Sequence, residues 1–374
     1  MKIIITGSHF TPAQAVIEEL KKDKNVQIVY FGRKYTREGD KSPSVESQVL
    51  PGLGVKFIPV IAGRLQRSFT IHTLPSLIKI PVGFLQAFYL LLRERPNVIL
   101  SFGGYSAVPT VISAWLLSIP IIIHEQTLVP GLANTISSWF ADKIAVSFKE
   151  NEFFKKNRVV VTGNPMRKEL FGNTKSADFD KILADAKKEK LPVILITGGN
   201  QGSHLINQTV FNCLDQLNKK AYIIHQTGDS KFNDFEKLEE ARQRLKYSGR
   251  YKVRKWIDGG DFGVILKNTD LVVSRAGINT LLELAYFSVP TLVIPIPYIY
   301  KNEQMVNARF FEKLGLVKIL LQDDTNAKTL EENINQMIDR LPQLRQGAEG
   351  AKSLANSDAA KRLALETMLL VDKK

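Results

Sequence analysis

The run VVSRAGINTLLELAYFSVPTLVIPIPYIYKNEQMVNARF, Val272–Phe310, decides the fold. An apolar, β-branched strand over 270–274 enters Arg275-Ala276-Gly277, and a helix opens at once with Glu283 one or two turns inside it. A second apolar strand over 291–295 follows, then a polar turn carrying Glu303, Gln304 and Asn307. A strand–glycine–helix junction places unpaired backbone N–H groups and the positive end of a helix dipole at a sheet edge, which suits a phosphate. Glu283 can accept two hydrogen bonds from a ribose diol, which a donor-only side chain cannot do. The plainer alternative is a strand–helix–strand unit whose glycine only eases a tight turn.

The same rhythm extends in both directions. Upstream, Val193–Thr197 is a strand, Gly198-Gly199-Asn200-Gln201-Gly202 a glycine turn, and 203–218 a helix. The glycines permit close backbone approach to a phosphate, and Asn200 and Gln201 add side-chain donors. With Arg275–Gly277 on the same sheet edge, a diphosphate bridged by two helix N-termini becomes the economical reading. Further strands fall at 222–225, 251–255 and 317–320. Ser357-Asp358 caps a last amphipathic helix.

The N-terminal half alternates in the same way. A strand over 2–6 ends in Gly7-Ser8-His9, and strands near 26–31, 55–59, 98–101, 121–123, 143–147 and 159–161 follow. The first loop lacks the G-x-G-x-x-G dinucleotide fingerprint, so a nicotinamide dehydrogenase has little support. His9, Tyr105 and His124-Glu125 stand at the C-terminal ends of strands, where doubly wound sheets put their sites. A histidine there serves packing or hydrogen bonding as readily as it serves as a base.

A chain of 374 residues is too long for one ordinary core. The expected organisation is α/β: a domain over 1–165, a second over 166–350, and a C-terminal helix over 351–374 packing back towards the first. Each domain is doubly wound and Rossmann-like, and the two face each other across a cleft. The single cysteine, Cys213, excludes an internal disulfide and a Cys-based metal cluster. The opening residues lack a signal-peptide core, and no run of about 18 apolar residues implies a membrane-spanning helix. The five histidines show no ligand spacing with acids, so no metal is expected. Asp178-Phe179-Asp180 reads as solvated linker charge.

The net charge of +14 suits nucleic acid, an anionic membrane surface or phosphorylated substrates. No nucleic-acid motif appears, and none is expected as a partner. Between Arg64 and Arg95, bulky apolar residues mix with Arg64, Arg67, Lys79, Arg93 and Arg95 against one acid, Glu94. An apolar patch rimmed by bases is what an interfacial membrane contact requires, although part of this stretch must be core.

Seven segments together resemble the MurG family of peptidoglycan N-acetylglucosaminyltransferases, which have the two-domain GT-B fold. They are SFGGYSAVP (Ser101–Pro109), HEQTLVPGLAN (His124–Asn134), VTGNPMRKEL (Val161–Leu170), ITGGNQGSHLINQ (Ile196–Gln208), IIHQTG (Ile223–Gly228), WID (Trp256–Asp258) and the opening stretch. The resemblance implies transfer of GlcNAc from UDP-GlcNAc to lipid I (undecaprenyl-pyrophosphoryl-MurNAc-pentapeptide), giving lipid II at the cytoplasmic face of the inner membrane. Peripheral attachment and no obligatory metal or other cofactor come with it.

The resemblance also implies site residues. His9 and Glu125 would be catalytic, with Thr6, Tyr105 and His124 around the acceptor. Ile257 would meet the uracil through its backbone and Glu283 the ribose. Arg167, Gly199, Asn200, Gln201, Arg275 and Gly277 would surround the phosphates, and Glu303, Gln304 and Asn307 the sugar.

Three departures stand out. The family's first loop, GGTGGH, reads Ile4-Ile5-Thr6-Gly7-Ser8-His9, which is expected to narrow backbone access to the acceptor diphosphate. Asn200 replaces a serine and Glu303 the first of two glutamines. Thr127 stands where asparagine is common. A related glycolipid synthase using another sugar or lipid, and a nucleotide-sugar-binding homologue impaired in catalysis, stay open as alternatives.

Overall fold

Runs such as KIIIT, VILIT and LVVS are apolar without alternation, the signature of strands covered on both faces. In the computed structural model, which describes residues 1–35, 43–63, 73–172, 178–199, 201–229 and 231–371, they are the central strands of two parallel sheets. The chain divides into two compact units: 1–166 with 356–374, and 167–355.

The first unit contains β1 (Lys2–Thr6), β2 (Gln27–Gly32), β3 (Lys56–Pro59), β4 (Val98–Ser101), β5 (Ile121–Glu125), β6 (Lys143–Val146) and β7 (Val159–Val161). Their order is β3-β2-β1-β4-β5-β6-β7, with every pairing parallel. The strand order reverses between β1 and β4, where Thr6 pairs with Ser101. The helix Phe10–Leu20 follows β1, and the terminal helix Ala359–Leu369 packs on it. Leu363 and Ala360 thereby join Ile3, Ile5 and Leu20 in one core. The predicted side-chain cap of this last helix does not form: Asp358 occupies the cap position without a capping hydrogen bond.

The second unit contains β8 (Val193–Thr197), β9 (Tyr222–Gln226), β10 (Tyr251–Arg254), β11 (Leu271–Ser274), β12 (Thr291–Val293) and β13 (Val317–Ile319), in the order β10-β9-β8-β11-β12-β13. Here the order reverses between β8 and β11, where Thr197 pairs with Ser274. Ligands of open α/β sheets bind outside the carboxyl ends of the strands at such a switch point. The two switch points therefore select Gly7–His9 with Gly103–Tyr105 in one unit, and 198–202 with Arg275–Gly277 in the other. The polar turn expected at Glu303 and Gln304 is instead the first turn of a helix, Glu303–Lys313, begun by Asn302 in the left-handed region at φ 53°.

Candidate functional sites at the two switch points

In the first unit the loop after β1 is pressed against the loop after β4. Gly7 adopts φ +138°, and a Cβ there would stand 2.8 Å from the carbonyl oxygen of Gly103. Ser8 N–H donates to that carbonyl at 3.0 Å, and Tyr30 Oη donates to Gly7 O at 2.9 Å. The altered first loop is less altered than its letters suggest. Ile4 and Ile5 lie inside β1 and are fully buried, so Ser8 alone substitutes a loop position. The expected loss of backbone access therefore reduces to Ser8, which packs against Gly104. Thr6, at the end of β1, keeps a buried hydroxyl with no hydrogen-bond partner among the described residues.

His9 caps the helix Phe10–Leu20 by position and makes no capping bond. Its Nδ1 lies 2.9 Å from Gln126 Nε2. Burial lowers its pKa to about 4, helped by the positive charge of Arg33, whose guanidinium sits 5.8 Å from the Tyr105 ring centroid. His124 is buried beside Phe102, with Nε2 3.2 Å from Gly163 O and 3.4 Å from Ser147 Oγ. Burial lowers its pKa to about 4 as well, against the opposing pull of Gly163 O, with His9 adding to the depression. Both imidazoles are neutral at physiological pH.

Glu125, expected to be catalytic, spends both carboxylate oxygens on the residues that follow it. Its Oε1 accepts Thr127 N–H at 2.9 Å and Thr127 Oγ1 at 2.8 Å; its Oε2 accepts Asn134 Nδ2 at 2.9 Å and Gly131 N–H at 3.3 Å. Burial raises its pKa, opposed first by the Asn134 hydrogen bond and then by those from Thr127 and Gly131. With both oxygens engaged, Glu125 braces the 127–134 loop and has no lone pair aimed at a substrate. Thr127, in place of the common asparagine, supplies two of those bonds.

In the second unit Gly199 has φ +79° with open space where a Cβ would stand, so the backbone here is free to approach a ligand. Gly202, at φ +70°, would place a Cβ 1.9 Å from Thr227 O, and only glycine fits. Asn200 lies outside the described residues, and Gln201 is exposed. Ser203 caps the helix His204–Lys220. Arg275 binds the cap, Nε to Ser203 Oγ at 3.1 Å, and reaches Ile294 O at 2.9 Å and Gln322 Oε1 at 3.0 Å. Burial lowers the Arg275 pKa to about 10, which leaves it charged.

Gly277 answers the plainer reading of the opening stretch. Its φ of −72° is open to any residue, and nothing lies within 4 Å of where its Cβ would be. The glycine is therefore no turn requirement; it leaves the N-terminus of the helix Ile278–Tyr286 uncovered.

Glu283, on that helix, is buried and paired with Arg167 at 3.1 Å. Burial raises its pKa, and Arg167 pulls it back. Arg167, expected near the phosphates, pairs with the Glu283 carboxylate, its guanidinium 5.8 Å from the Phe262 ring centroid. Arg167, Glu283, Thr280, Gly199, Gln226, Trp256 and Ile257 line one pocket. Ile257 N–H is taken by Gln226 Oε1 at 3.1 Å, so the backbone group it can offer a base is its carbonyl.

The residues expected at the sugar make contacts within the protein. Asn307 is fully buried and donates to Ala276 O at 3.3 Å, and Gln304 Oε1 accepts Ile296 N–H at 2.9 Å. Both tie the helix Glu303–Lys313 to neighbouring loops, while Glu303 opens the helix half-exposed. Asp178, read as solvated charge, is engaged by Lys252 at 2.6 Å and Arg254 at 2.7 Å.

Sequence reasoning passed over Gln226, Asn134 and Gln126 as functional candidates. Gln226 and Gln126 are buried amides at and just beyond strand ends, and that position was their available signal; Asn134 lies in the helix Leu132–Ser137, with no such signal.

Two doubly wound parallel sheets, each with glycine loops gathered at its switch point, define a two-domain GT-B-type glycosyltransferase. Residues 3–146 match the glycosyltransferase family 28 N-terminal domain, and 193–363 the family 28 C-terminal domain. The UDP-N-acetylglucosamine–N-acetylmuramyl-(pentapeptide) pyrophosphoryl-undecaprenol N-acetylglucosamine transferase of Caldanaerobacter subterraneus subsp. tengcongensis is 32% identical over 96% of this chain and 95% of its own. The transferase of the same name from Clostridium botulinum (strain Loch Maree / Type A3) is 34% identical over 90% of each. This chain belongs to that transferase family. In fold it is similar to the crystal structure of Acinetobacter baumannii MurG, at TM-score 0.72 and 22% identity, covering 98% of this chain and 99% of that one. The UDP-bound structure of S. aureus MnaA is similar at TM-score 0.68 and 16% identity, covering 100% and 98%.

Proposed function

We propose that this N-acetylglucosaminyltransferase moves GlcNAc from UDP-GlcNAc to the MurNAc 4-hydroxyl of lipid I, with inversion, giving lipid II. The observation that carries the reading is the contrast in chemistry at the two switch points: neutral imidazoles in the first unit, a braced arginine and the uncovered N-terminus of Ile278–Tyr286 in the second. In the proposed step the acceptor hydroxyl gives its proton to His9, and its oxygen forms the new bond to the anomeric carbon. The bond from that carbon to the UDP oxygen breaks, and its electron pair leaves with UDP. A neutral imidazole is the form that can accept the proton. The developing charge on UDP meets the uncovered N-terminus of Ile278–Tyr286, with the backbone at Gly199 open to approach, and Arg275 holds the capped start of the helix His204–Lys220 in place.

Roles follow from the contacts. Glu283 takes the ribose hydroxyls with Arg167 holding its carboxylate, and the Ile257 carbonyl faces the uracil. Thr6, Tyr105 and His124 surround the acceptor. Glu125 is a positioning residue for the 127–134 loop. Metal independence is part of the proposal, and turnover in EDTA equal to turnover without it supports that part.

The acceptor's lipid calls for a membrane surface. On the helix Thr73–Glu94, Val82, Leu85, Tyr89 and Leu92 recur at helical spacing and are 44%, 73%, 60% and 50% exposed. Leu90 and Leu91 of the same helix face the core, and Arg93 and Arg95 lie exposed at its end. Trp115, Leu116 and Trp139 are exposed as well. An apolar face flanked by bases fits peripheral attachment to an anionic, cytoplasmic leaflet. Among the described residues, no helix is long and apolar enough to cross a membrane. Arg64, Arg67 and their neighbours over 64–72 lie outside the described residues.

The test is transfer of labelled sugar from UDP-GlcNAc to lipid I in anionic vesicles. Labelled lipid II with equimolar UDP supports the reading. Donor binding without lipid I-dependent UDP release contradicts it.

A further inference from the structure

We propose that Gln126 is a positioning residue for His9, its side-chain carbonyl holding the Nδ1 proton so that Nε2 presents its lone pair to the acceptor hydroxyl. This rests on His9 being the base.

Gln126 follows β5, is buried, and meets His9 across 117 residues of chain. Its Nε2 faces His9 Nδ1 at 2.9 Å, while its Oε1 is buried with no hydrogen-bond partner. His9 Nε2 has no partner among the described residues. A neutral imidazole carries one proton, and the neighbour of one nitrogen decides which nitrogen holds it. With an amide N–H facing Nδ1, the proton sits on Nε2, and the ring can only donate to a hydroxyl. Turning the amide by 180° puts Oε1 against Nδ1, moves the proton there, and frees the Nε2 lone pair.

The base step selects the second orientation. When Nε2 takes up the hydroxyl proton, both ring nitrogens carry N–H, and an amide N–H facing Nδ1 would oppose one donor with another. Oε1 is the only acceptor Gln126 can bring. Arg33, just after β2 and paired with Glu46 at 3.7 Å, opposes protonation of His9, and His124 on β5 is itself neutral. The arrangement uses an uncharged acceptor where a carboxylate would raise the basicity of the ring, so His9 stays unprotonated until substrate arrives.

The experiment compares Gln126→Leu and Gln126→Glu with wild type and His9→Ala. It uses the full chain with lipid I in vesicles, measuring kcat against pH and UDP-GlcNAc affinity by calorimetry. Gln126→Leu should lower kcat about ten-fold or more, with donor affinity changed by less than about two-fold. Gln126→Glu, an acceptor of the same shape, should keep more turnover than the leucine variant and move the acidic limb of kcat up by roughly a pH unit. Wild-type kcat and an unmoved acidic limb in both variants would overturn the proposal. So would parallel losses of turnover and donor affinity in both with that limb unmoved. His9→Ala separates the two claims. If it keeps wild-type kcat, the base reading falls and Gln126 falls with it. If it loses kcat while both Gln126 variants remain wild type, the positioning role alone falls.

Discussion

At the ends of β1 and β5 the first unit gathers two imidazoles held neutral, His9 and His124 with pKa values of about 4, beside Glu125, whose two oxygens accept four hydrogen bonds from Thr127, Gly131 and Asn134. At the ends of β8 and β11 the second unit anchors two arginines, Arg167 on Glu283 and Arg275 on Ser203 and Gln322. The folds are alike, and the switch points sit at corresponding places in the two sheets. The difference matches the chemistry proposed for each. A hydroxyl acceptor needs an unprotonated base, which desolvation supplies. A nucleoside diphosphate needs fixed positive ends and a carboxylate for its ribose, which burial without partners would neutralise. One architecture thus hosts opposite electrostatic designs, set by the side chains on its loops.

The comparison can be broken most severely at His9. We expect His9→Ala to lower kcat by about 10²-fold or more while UDP-GlcNAc affinity changes little. Equal loss of both would merge the two sites into one functional unit. The complementary substitution is Glu283→Ala, which removes a carboxylate acceptor for the ribose. We expect it to weaken UDP-GlcNAc binding about ten-fold, from hydrogen bonds to a charged group worth about 1.5–3 kcal/mol. Calorimetry reads the loss directly, and unchanged affinity would take the ribose away from Glu283.

A smaller effect sharpens the reading of the first unit. Glu125→Gln turns one of two acceptor oxygens into a donor facing N–H groups, so we expect about 1–3 kcal/mol of lost stability in urea unfolding. Full stability with a large loss of kcat would return Glu125 to proton transfer and remove the loop-brace account.

The fold was legible because its central strands are buried on both faces, and continuous apolar runs ending at glycine mark parallel sheets from sequence alone. Gly198–Gly202 and Arg275–Gly277 were legible for the same reason: each directly follows such a run. Whether a glycine serves a turn or a ligand was not legible, since Gly202 and Gly277 look alike as letters. They separate only by φ and by what stands where a Cβ would be. Nor could sequence order show that Gln126 meets His9, that Arg167 meets Glu283 across 116 residues, or that Asn307 points into the loop beneath Ala276. Those partners are fixed by strand order, which places distant loops side by side. The apparent erosion of the first loop was misleading in the opposite sense, because Ile4 and Ile5 are sheet interior and never face the loop's ligand side.

The most direct test of the division between a neutral acceptor site and a donor site of anchored arginines is the pH dependence of kcat/KM for lipid I at saturating UDP-GlcNAc. His9 works only unprotonated, and its pKa lies at about 4, below the ordinary imidazole value of 6.5. Activity lost to protonation should therefore fall as pH drops through about 4, with no such loss near 6.5. A limb centred near 6.5, or one near 4 that persists unchanged in His9→Ala, would contradict the account.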